Sequence, residues 1–220
     1  MDLDTLLPVI IAVAIMLLVG FPVHEFSHAL AAFRLGDGTA KLFGRLSLNP
    51  IVHFDPVGGT LLAISFIASG GTFGFGWAKP TPVNPSNLEG GHRGEAIVAA
   101  AGPISNLVMA VAAALPLRYI LDNPELAVQI PELAVQVLFT FVYINLILMI
   151  FNLIPIPPLD GSKVLFAFLP ARTVWQWRPV LEQYGFIAII LVFFFPPGDS
   201  IGARILGPIL DALLSLLLGI

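Results

Sequence analysis

Hydrophobic positions gather into long stretches that short polar segments separate. A helix needs about 20 apolar residues to cross a bilayer, and repeated runs near that length are typical of a polytopic membrane protein. The prolines and the glycine within residues 196–199 break the last apolar region into two. The pattern therefore predicts five transmembrane helices, at about residues 6–33, 96–121, 133–153, 180–195 and 201–220.

A further apolar stretch, residues 57–68, is only about a dozen residues long. It lies between Pro56 and Gly70-Gly71, so its length is well defined. Such a segment is too short to cross, and it suits a re-entrant or interfacial element better.

The connector that follows has a different pattern. Residues 72–77 alternate small and aromatic side chains, and the prolines at 80, 82 and 85 restrict the next residues to extended backbone. We predict a small β element at the membrane surface over residues 72–84, and a similar short strand over residues 39–48.

The composition supports the membrane interpretation. Of the 220 residues, 57% are hydrophobic and 11% are charged, whereas a soluble domain has about 25% charged residues. The net charge of −4, the scattered basic residues and the lack of cysteine exclude a nucleic-acid-binding face and a disulfide or thiolate site. The predicted fold class is an all-α polytopic membrane protein, a single domain over residues 1–220 with about five transmembrane helices, a re-entrant segment and a small membrane-associated β element.

One polar motif stands near the end of the first span, His24-Glu25-Phe26-Ser27-His28. Two histidines four residues apart share one face of a helix, so both imidazoles can bind one metal ion. The glutamate between them can then act as general base on a water that the metal activates. Three ionisable groups within about one turn of a membrane helix are costly, which favours a functional role over a hydrogen-bonded polar patch.

A catalytic zinc site usually has three protein ligands and one open position. His53 and His92 are the remaining histidines, so a carboxylate has to be considered equally. The best candidate is Asp160, which follows a proline-rich segment after the third predicted span, although an Asp-Gly turn can equally cap the next helix. Asn152, at the end of that span, adds a hydrogen-bond donor nearby.

The pairing of His24-Glu25-x-x-His28 with Asn152-x-x-Pro155-x-Pro157-Pro158-Leu159-Asp160-Gly161 resembles the site-2 protease family of intramembrane zinc metalloproteases. Residues 101–106, 53–58 and 75–80 are also similar to segments of its compact prokaryotic members, so the resemblance covers about residues 20–163. Larger members carry PDZ or CBS domains, and this chain has room for neither.

The resemblance implies that His24, His28 and Asp160 bind one zinc ion per chain. It also implies that Glu25 is the catalytic acid and base and that Asn152 holds the substrate carbonyl or the oxyanion. The implied activity is hydrolysis of peptide bonds within or near the transmembrane helix of a membrane-anchored protein, as in regulated intramembrane proteolysis. A substrate helix must unwind before it is cut, and we expect the β element to receive it by strand addition. The predicted substrate-binding residues are Thr72, Phe73, Gly74, Phe75, Gly76 and Asn106, although helix packing is the more ordinary role for Asn106.

A shared metal site also predicts the topology. The first and third spans must end on the same side, so residues 57–68 must not cross. Eight of the ten basic residues then lie on that side, and Arg118 and Arg204 lie on the other. The positive-inside rule makes the first side cytoplasmic. We expect a protein of the cell membrane with its N-terminus outside and with its C-terminus and active-site opening in the cytoplasm.

Two other functions fit the same residues. A metal-ion transporter could use the histidines and the aspartate as a transit site, but transporters often have repeated halves, and we find no internal repeat. A non-enzymatic membrane scaffold could hold a structural zinc, which would require a fourth protein ligand in place of an open position.

Overall fold

The computed structural model describes residues 3–68, 74, 76–195 and 200–220. The described residues form helices and irregular connections, with no strand among them. The helices are α1 (Leu3–Ile15), a π-helical turn (Met16–Gly20), α2 (Phe21–Arg34), α3 (Thr39–Leu42), α4 (Pro50–His53), α5 (Pro56–Ala68), a 3-10 turn (Pro85–Asn87), α6 (His92–Leu121), α7 (Pro124–Ala127), α8 (Glu132–Asn152), α9 (Asp160–Phe168), α10 (Ala171–Phe194) and α11 (Ile201–Leu218).

The first span is one continuous rod whose hydrogen-bond spacing changes in the middle. Pro22 has no backbone N–H, so it cannot make the usual α-helical bond. The π turn lies just before it, where the N–H of Phe21 bonds to the carbonyl of Met16 five residues earlier. Gly20 in this turn allows close packing, since a Cβ there would lie 3.0 Å from Leu148 Cδ1 of α8.

Helix α6 is the centre of the bundle and packs against α2, α8, α9 and α11. Small alanines on α6 let the larger side chains of its neighbours approach closely, as is common between membrane helices. The resulting core is formed by Ala110, Ala113, Ala114 and Leu117 of α6, Val142, Leu146, Met149 and Ile150 of α8, and Leu210, Leu214 and Leu218 of α11.

Among the described residues, four helical segments are long and apolar enough to cross a membrane: Ile10–Arg34, His92–Leu121, Glu132–Asn152 and Ile201–Leu218. The predicted crossing at residues 180–195 is not confirmed. Most of it belongs to α10, which carries the charged residues Arg178 and Glu182 near its middle.

The contacts of α10 lie at one end of the bundle. Arg178 lies 3.1 Å from Glu95 at the start of α6, and the Phe193 ring lies 5.6 Å from the Phe151 ring at the end of α8. Between them, Gly185 packs on the carbonyl of Pro157, which follows α8. All three partners lie at the end of the bundle where α6 begins and α8 ends, so α10 stays at that end.

The direction of α11 corrects the predicted topology. Its first turn packs at Gly202 against Phe193 of α10, whose ring contacts Phe151 at the end of α8. Near its last turn, the Arg118 guanidinium donates to the carbonyl of Leu216 at 3.2 Å. Helix α11 therefore runs parallel to α6, and its C-terminal end lies beside Arg118. The five-span prediction put those two at opposite ends, because it counted a crossing by α10.

Two shorter predictions had different outcomes. Residues 57–68 lie within α5, whose 13 residues extend about 20 Å, less than the roughly 30 Å of a hydrocarbon core. This length agrees with the prediction that the segment does not cross. The predicted strand at residues 39–48 is wrong, because Asp37 accepts the Thr39 N–H and starts the helical turn α3, which Gly44 ends with φ +69°.

The predicted β element falls partly outside the described residues, which omit Thr72, Phe73 and Phe75. Gly74 and residues 76–84 are described, and they form no strand. Pro80 and Pro82 lack the N–H groups that a strand ladder needs, and the donors next to them bond elsewhere.

Candidate metal centre

The structure brings the three predicted ligands together from distant parts of the chain. His24 and His28 lie one turn apart on α2, and their Nε2 atoms are 3.0 Å apart. Asp160, the first residue of α9, places its Oδ2 atom 3.2 Å from His24 Nε2 and 3.1 Å from His28 Nε2. All three side chains are buried.

Asp160 reaches the histidines because the chain turns sharply after α8. Gly161 packs directly on the end of α8, where a Cβ would lie 2.1 Å from the carbonyl oxygen of Leu153. Only glycine fits that distance, which explains the Asp-Gly pair. Lys163, one turn further along α9, lies 3.6 Å from the other carboxylate oxygen of Asp160, Oδ1. Asp160 therefore turns Oδ1 toward the lysine and Oδ2 toward the histidines.

The backbone of α6 orients His28. Its Nδ1 atom lies 2.7 Å from the carbonyl oxygen of Val98, which can only accept a hydrogen bond. Nδ1 therefore carries the proton, and Nε2 has a free lone pair. The Val98 carbonyl has two lone pairs, so it can accept from His28 as well as within α6.

A chain of side-chain amides orients His24. Its Nδ1 atom lies 2.6 Å from Oδ1 of Asn106, whose Nδ2 donates to Oδ1 of Asn145 at 2.9 Å. Nδ2 of Asn145 in turn donates to the carbonyl of Phe141 at 2.9 Å. Because that carbonyl can only accept, each amide has one possible orientation, and Nδ1 of His24 must be a donor. Its Nε2 atom is then also a lone-pair acceptor.

Three acceptor atoms thus point at one position, where a cation would satisfy all of them. Ligands at zinc distances of about 2.0–2.2 Å in tetrahedral geometry lie about 3.4 Å apart, close to the separations of 3.0–3.2 Å seen here. Within the described part of the chain, this is the one group of three His, Asp or Glu side chains found with such closely spaced ligand atoms. The residues therefore fit a zinc ion.

Gly102 of α6 forms the floor of this position. A Cβ there would lie 2.5 Å from Nε2 of His28 and 2.6 Å from Nε2 of His24. The space that this glycine leaves open adjoins the atoms that would bind the metal. The small residue is therefore required by the site as well as by helix packing.

Glu25 is half-buried and is held by a different part of the chain. Its Oε2 atom accepts the backbone N–H of Thr81 at 2.7 Å, and the Thr81 hydroxyl donates to the Glu25 carbonyl at 3.0 Å. One residue thus bonds to both the side chain and the backbone of Glu25.

The segment that carries Thr81 is fixed at both ends. Lys79 donates its N–H to the carbonyl of His53 at 2.8 Å. The buried carboxylate of Asp37 accepts the N–H of Asn84 at 2.7 Å, a side-chain N–H of Asn87 and both the N–H and the hydroxyl of Thr39. Burial alone would raise the pKa of Asp37, but these four donors hold that pKa below its ordinary value.

The other predicted site residues lie around the centre. Asn152 is half-buried at the end of α8 and donates one N–H to the carbonyl of Leu148 at 2.9 Å. Asn106 is fully buried behind His24, with both amide atoms bonded. Gly76 packs on α5, where a Cβ would lie 2.4 Å from the carbonyl oxygen of Gly58. Thr72, Phe73 and Phe75 lie outside the described residues, and Gly74 lies in the irregular connection.

Sequence reasoning missed three residues of the site. Asn145 had a usable signal, since a lone amide within an apolar span is costly unless it has a specific partner. Thr81 had none, because it acts through its backbone N–H, which every residue but proline carries. Asp37 follows the first span directly and resembles an ordinary loop residue.

A model of Peptidase family M50 matches residues 12–123 and 127–195 of the chain. The chain is 36% identical to "Putative zinc metalloprotease YwhC" of Bacillus subtilis, over 90% of this chain and 85% of that protein. It is 32% identical to "Putative zinc metalloprotease Rip2" of Mycolicibacterium smegmatis, over 79% of this chain and 62% of the relative. The protein of the same name in Mycobacterium tuberculosis is 31% identical, over 81% of this chain and 65% of its own length. No solved structure matches the chain. The chain belongs to Peptidase family M50.

Proposed function

We propose that this protein is an intramembrane zinc metalloprotease that cuts membrane-anchored proteins within or near their transmembrane helices, in regulated intramembrane proteolysis. The observation that carries the proposal is the convergence of His24, His28 and Asp160 beside Glu25, in a chain whose long helices are apolar enough to cross a membrane. The names of the relatives, which are putative zinc metalloproteases, support the same metal. The one three-residue group found in the described part of the chain would hold one ion.

The roles of the side chains follow from their contacts. Zinc supplies Lewis acidity, which polarises a carbonyl and makes water nucleophilic near neutral pH. Glu25, with Oε2 fixed by Thr81, uses Oε1 to take the proton of the attacking water and then passes it to the leaving amine. The Asn152 amide has two hydrogens and uses one on Leu148, so the second can donate to the scissile carbonyl oxygen or the oxyanion.

We propose that the substrate is received as an extended strand along residues 72–78. The hydrogen bonds of residues 79–82 are the reason that the proposed strand ends at residue 78. Pro80 and Pro82 have no N–H, and the N–H groups of Lys79 and Thr81 already bond to His53 and Glu25. Residues 79–82 therefore offer no donor to an added strand, whereas β-addition depends on such donors.

We propose that the metal centre opens toward the cytoplasm. With α11 parallel to α6, Arg204 lies at the same end of the bundle as the other basic residues, and Arg118 stands alone among the ten at the opposite end. This asymmetry is stronger than the sequence-based count and supports a cytoplasmic position for the centre. Both termini would then lie outside.

Zinc content and cleavage, measured on the same purified protein, test this function. We expect one zinc per chain and cleavage of a transmembrane reporter by the wild type, and loss of both in Asp160→Ala. Glu25→Gln should keep zinc and lose about 10²–10⁴-fold in cleavage rate. The same assay on proline variants of residues 72–77 tests the receiving strand, since these should cut slowly with zinc retained.

The outcomes separate the alternatives. Unchanged cleavage by Glu25→Gln would contradict the role of Glu25. Zinc flux into proteoliposomes without cleavage would indicate a transporter. Tightly held zinc with no cleavage by the wild type, and with a fourth protein ligand, would indicate a structural site.

A further inference from the structure

Two buried amides stand behind the metal centre, and Asn145 has no role in the reaction as described above. Asn106 on α6 and Asn145 on α8 are both 0% exposed. They form the chain of hydrogen bonds that runs from the carbonyl of Phe141 to Nδ1 of His24. Burying two amides in an apolar helix core is costly unless their polar atoms are hydrogen-bonded, and all four of these atoms have a partner.

We propose that Asn145 is a positioning residue for the metal centre, which sets the orientation of the Asn106 amide and through it the tautomer of His24. The proposal rests on the proposed function, because it takes His24 as a zinc ligand. Asn145 itself touches neither the metal nor the substrate.

The Phe141 carbonyl sets the direction of this series of hydrogen bonds. The Phe141 carbonyl has two lone pairs, so it can accept from the Asn145 side chain as well as within α8. Since it cannot donate, Asn145 must turn its NH2 group toward Phe141 and its oxygen toward Asn106. Asn106 must then present its own oxygen to His24.

Reversing the Asn106 amide would give His24 the tautomer that cannot bind a metal through Nε2. Its NH2 group would face Nδ1 of His24, which would have to accept, and the proton would move to Nε2. A protonated Nε2 cannot bind a metal. Asn145 opposes this reversal because two amide oxygens would then face each other in a site that excludes water. His28 needs no such device, because a backbone carbonyl already orients it.

The main test compares zinc affinity in Asn145→Leu and Asn145→Asp, by competition with a chelator in detergent. Leucine has a similar volume and removes the acceptor, so zinc should bind about 10–100-fold more weakly. A protonated aspartic acid has the shape of the amide, donates to Phe141 and accepts from Asn106, so most of the affinity should return.

Val142→Ala is the matched control. Val142 lies one turn before Asn145 on α8, is 0% exposed and belongs to the helix core. Its truncation should lower thermal stability and leave zinc affinity unchanged.

A spectroscopic measurement adds a second criterion, and the spectrum is simple because the chain has only four histidines. In ¹⁵N-histidine spectra of zinc-free protein, Asn145→Leu should shift His24 toward a mixture of tautomers and leave His28 unchanged.

Zinc affinity in Asn145→Leu equal to that of the wild type would overturn the proposal and leave Asn145 as a helix-packing residue. If the leucine variant does not fold, Asn145→Ser replaces it, since the hydroxyl can bond to Phe141 but does not reach Asn106. Normal zinc affinity in that variant would overturn the proposal equally. Failure of the wild type to bind zinc at all would instead contradict the proposed function.

Discussion

The two sides of the metal centre are held in different ways. The ligands His24, His28 and Asp160 lie inside the helix bundle, and each has a second contact on the side away from the metal position. Glu25 is half-buried, and its carboxylate is held by one backbone N–H from an extended segment between helices. In the proposed mechanism, metal binding would therefore depend on the transmembrane core, and proton transfer would depend on a connection outside it. Mutations should therefore separate the two.

The largest effect is expected on the metal side, from Gly102→Ala. The added Cβ would lie 2.5–2.6 Å from the imidazoles, so α6 or α2 must move and the ligand geometry is lost. We expect no bound zinc and no measurable cleavage. Gly207→Ala, in α11 with open space around it, is the matched control and should keep both. Normal zinc content in Gly102→Ala would show that the centre tolerates what the geometry excludes.

A smaller effect is expected on the Glu25 side, from Thr81→Pro. Proline removes the N–H that fixes Oε2, and a hydrogen bond to a charged group contributes about 1.5–3 kcal/mol, or roughly 10–100-fold in rate. Cleavage should fall by that factor while zinc content stays at the wild-type value. Thr81→Val keeps the N–H and loses only the hydroxyl bond, so it should cut faster than Thr81→Pro. Loss of zinc in the proline variant would mean that the two sides are not separable.

The smallest effect on cleavage is expected from Asp37→Asn, which acts on the anchor of the segment. An asparagine cannot accept all four hydrogen bonds, so we expect a loss of about 1–3 kcal/mol in unfolding free energy at pH 7. The control is Asp122→Asn, an exposed ion-pair residue that should change stability by less than about 1 kcal/mol.

The pH dependence gives this prediction its sign. The pKa of Asp37 is lower in the folded protein than its unfolded value of about 3.9. Its stabilisation is therefore complete above that unfolded value and is lost as the pH falls through the folded one. The stability difference between wild type and Asp37→Asn, measured by thermal unfolding in detergent, should shrink below about pH 4. A difference that stayed constant down to pH 3 would contradict the assignment.

Several features of the fold could be predicted from the sequence, and others could not. Helical spacing predicted that His24 and His28 share one face, whereas the family resemblance implied that Asp160 joins them, and the three side chains do lie together in the structure. The direction of α11 could not be predicted, because an apolar helix has the same composition read from either end. Whether α10 crosses depends on Arg178, Gly185 and Phe193 meeting partners at one end of the bundle, and those contacts exist only in the folded chain.

The sequence by itself determined the membrane setting and the His24/His28 pair with Glu25 beside it, because these depend on residue type and local spacing, and the family resemblance added Asp160. Only the tertiary structure decided how these groups are oriented. The tautomer of His24 depends on Asn145, which lies 121 residues further along the chain. The orientation of the Glu25 carboxylate depends on the backbone N–H of Thr81, 56 residues away. Hydrogen bonds of this kind follow from which atoms folding brings within about 3 Å, and neither composition nor periodicity carries that information.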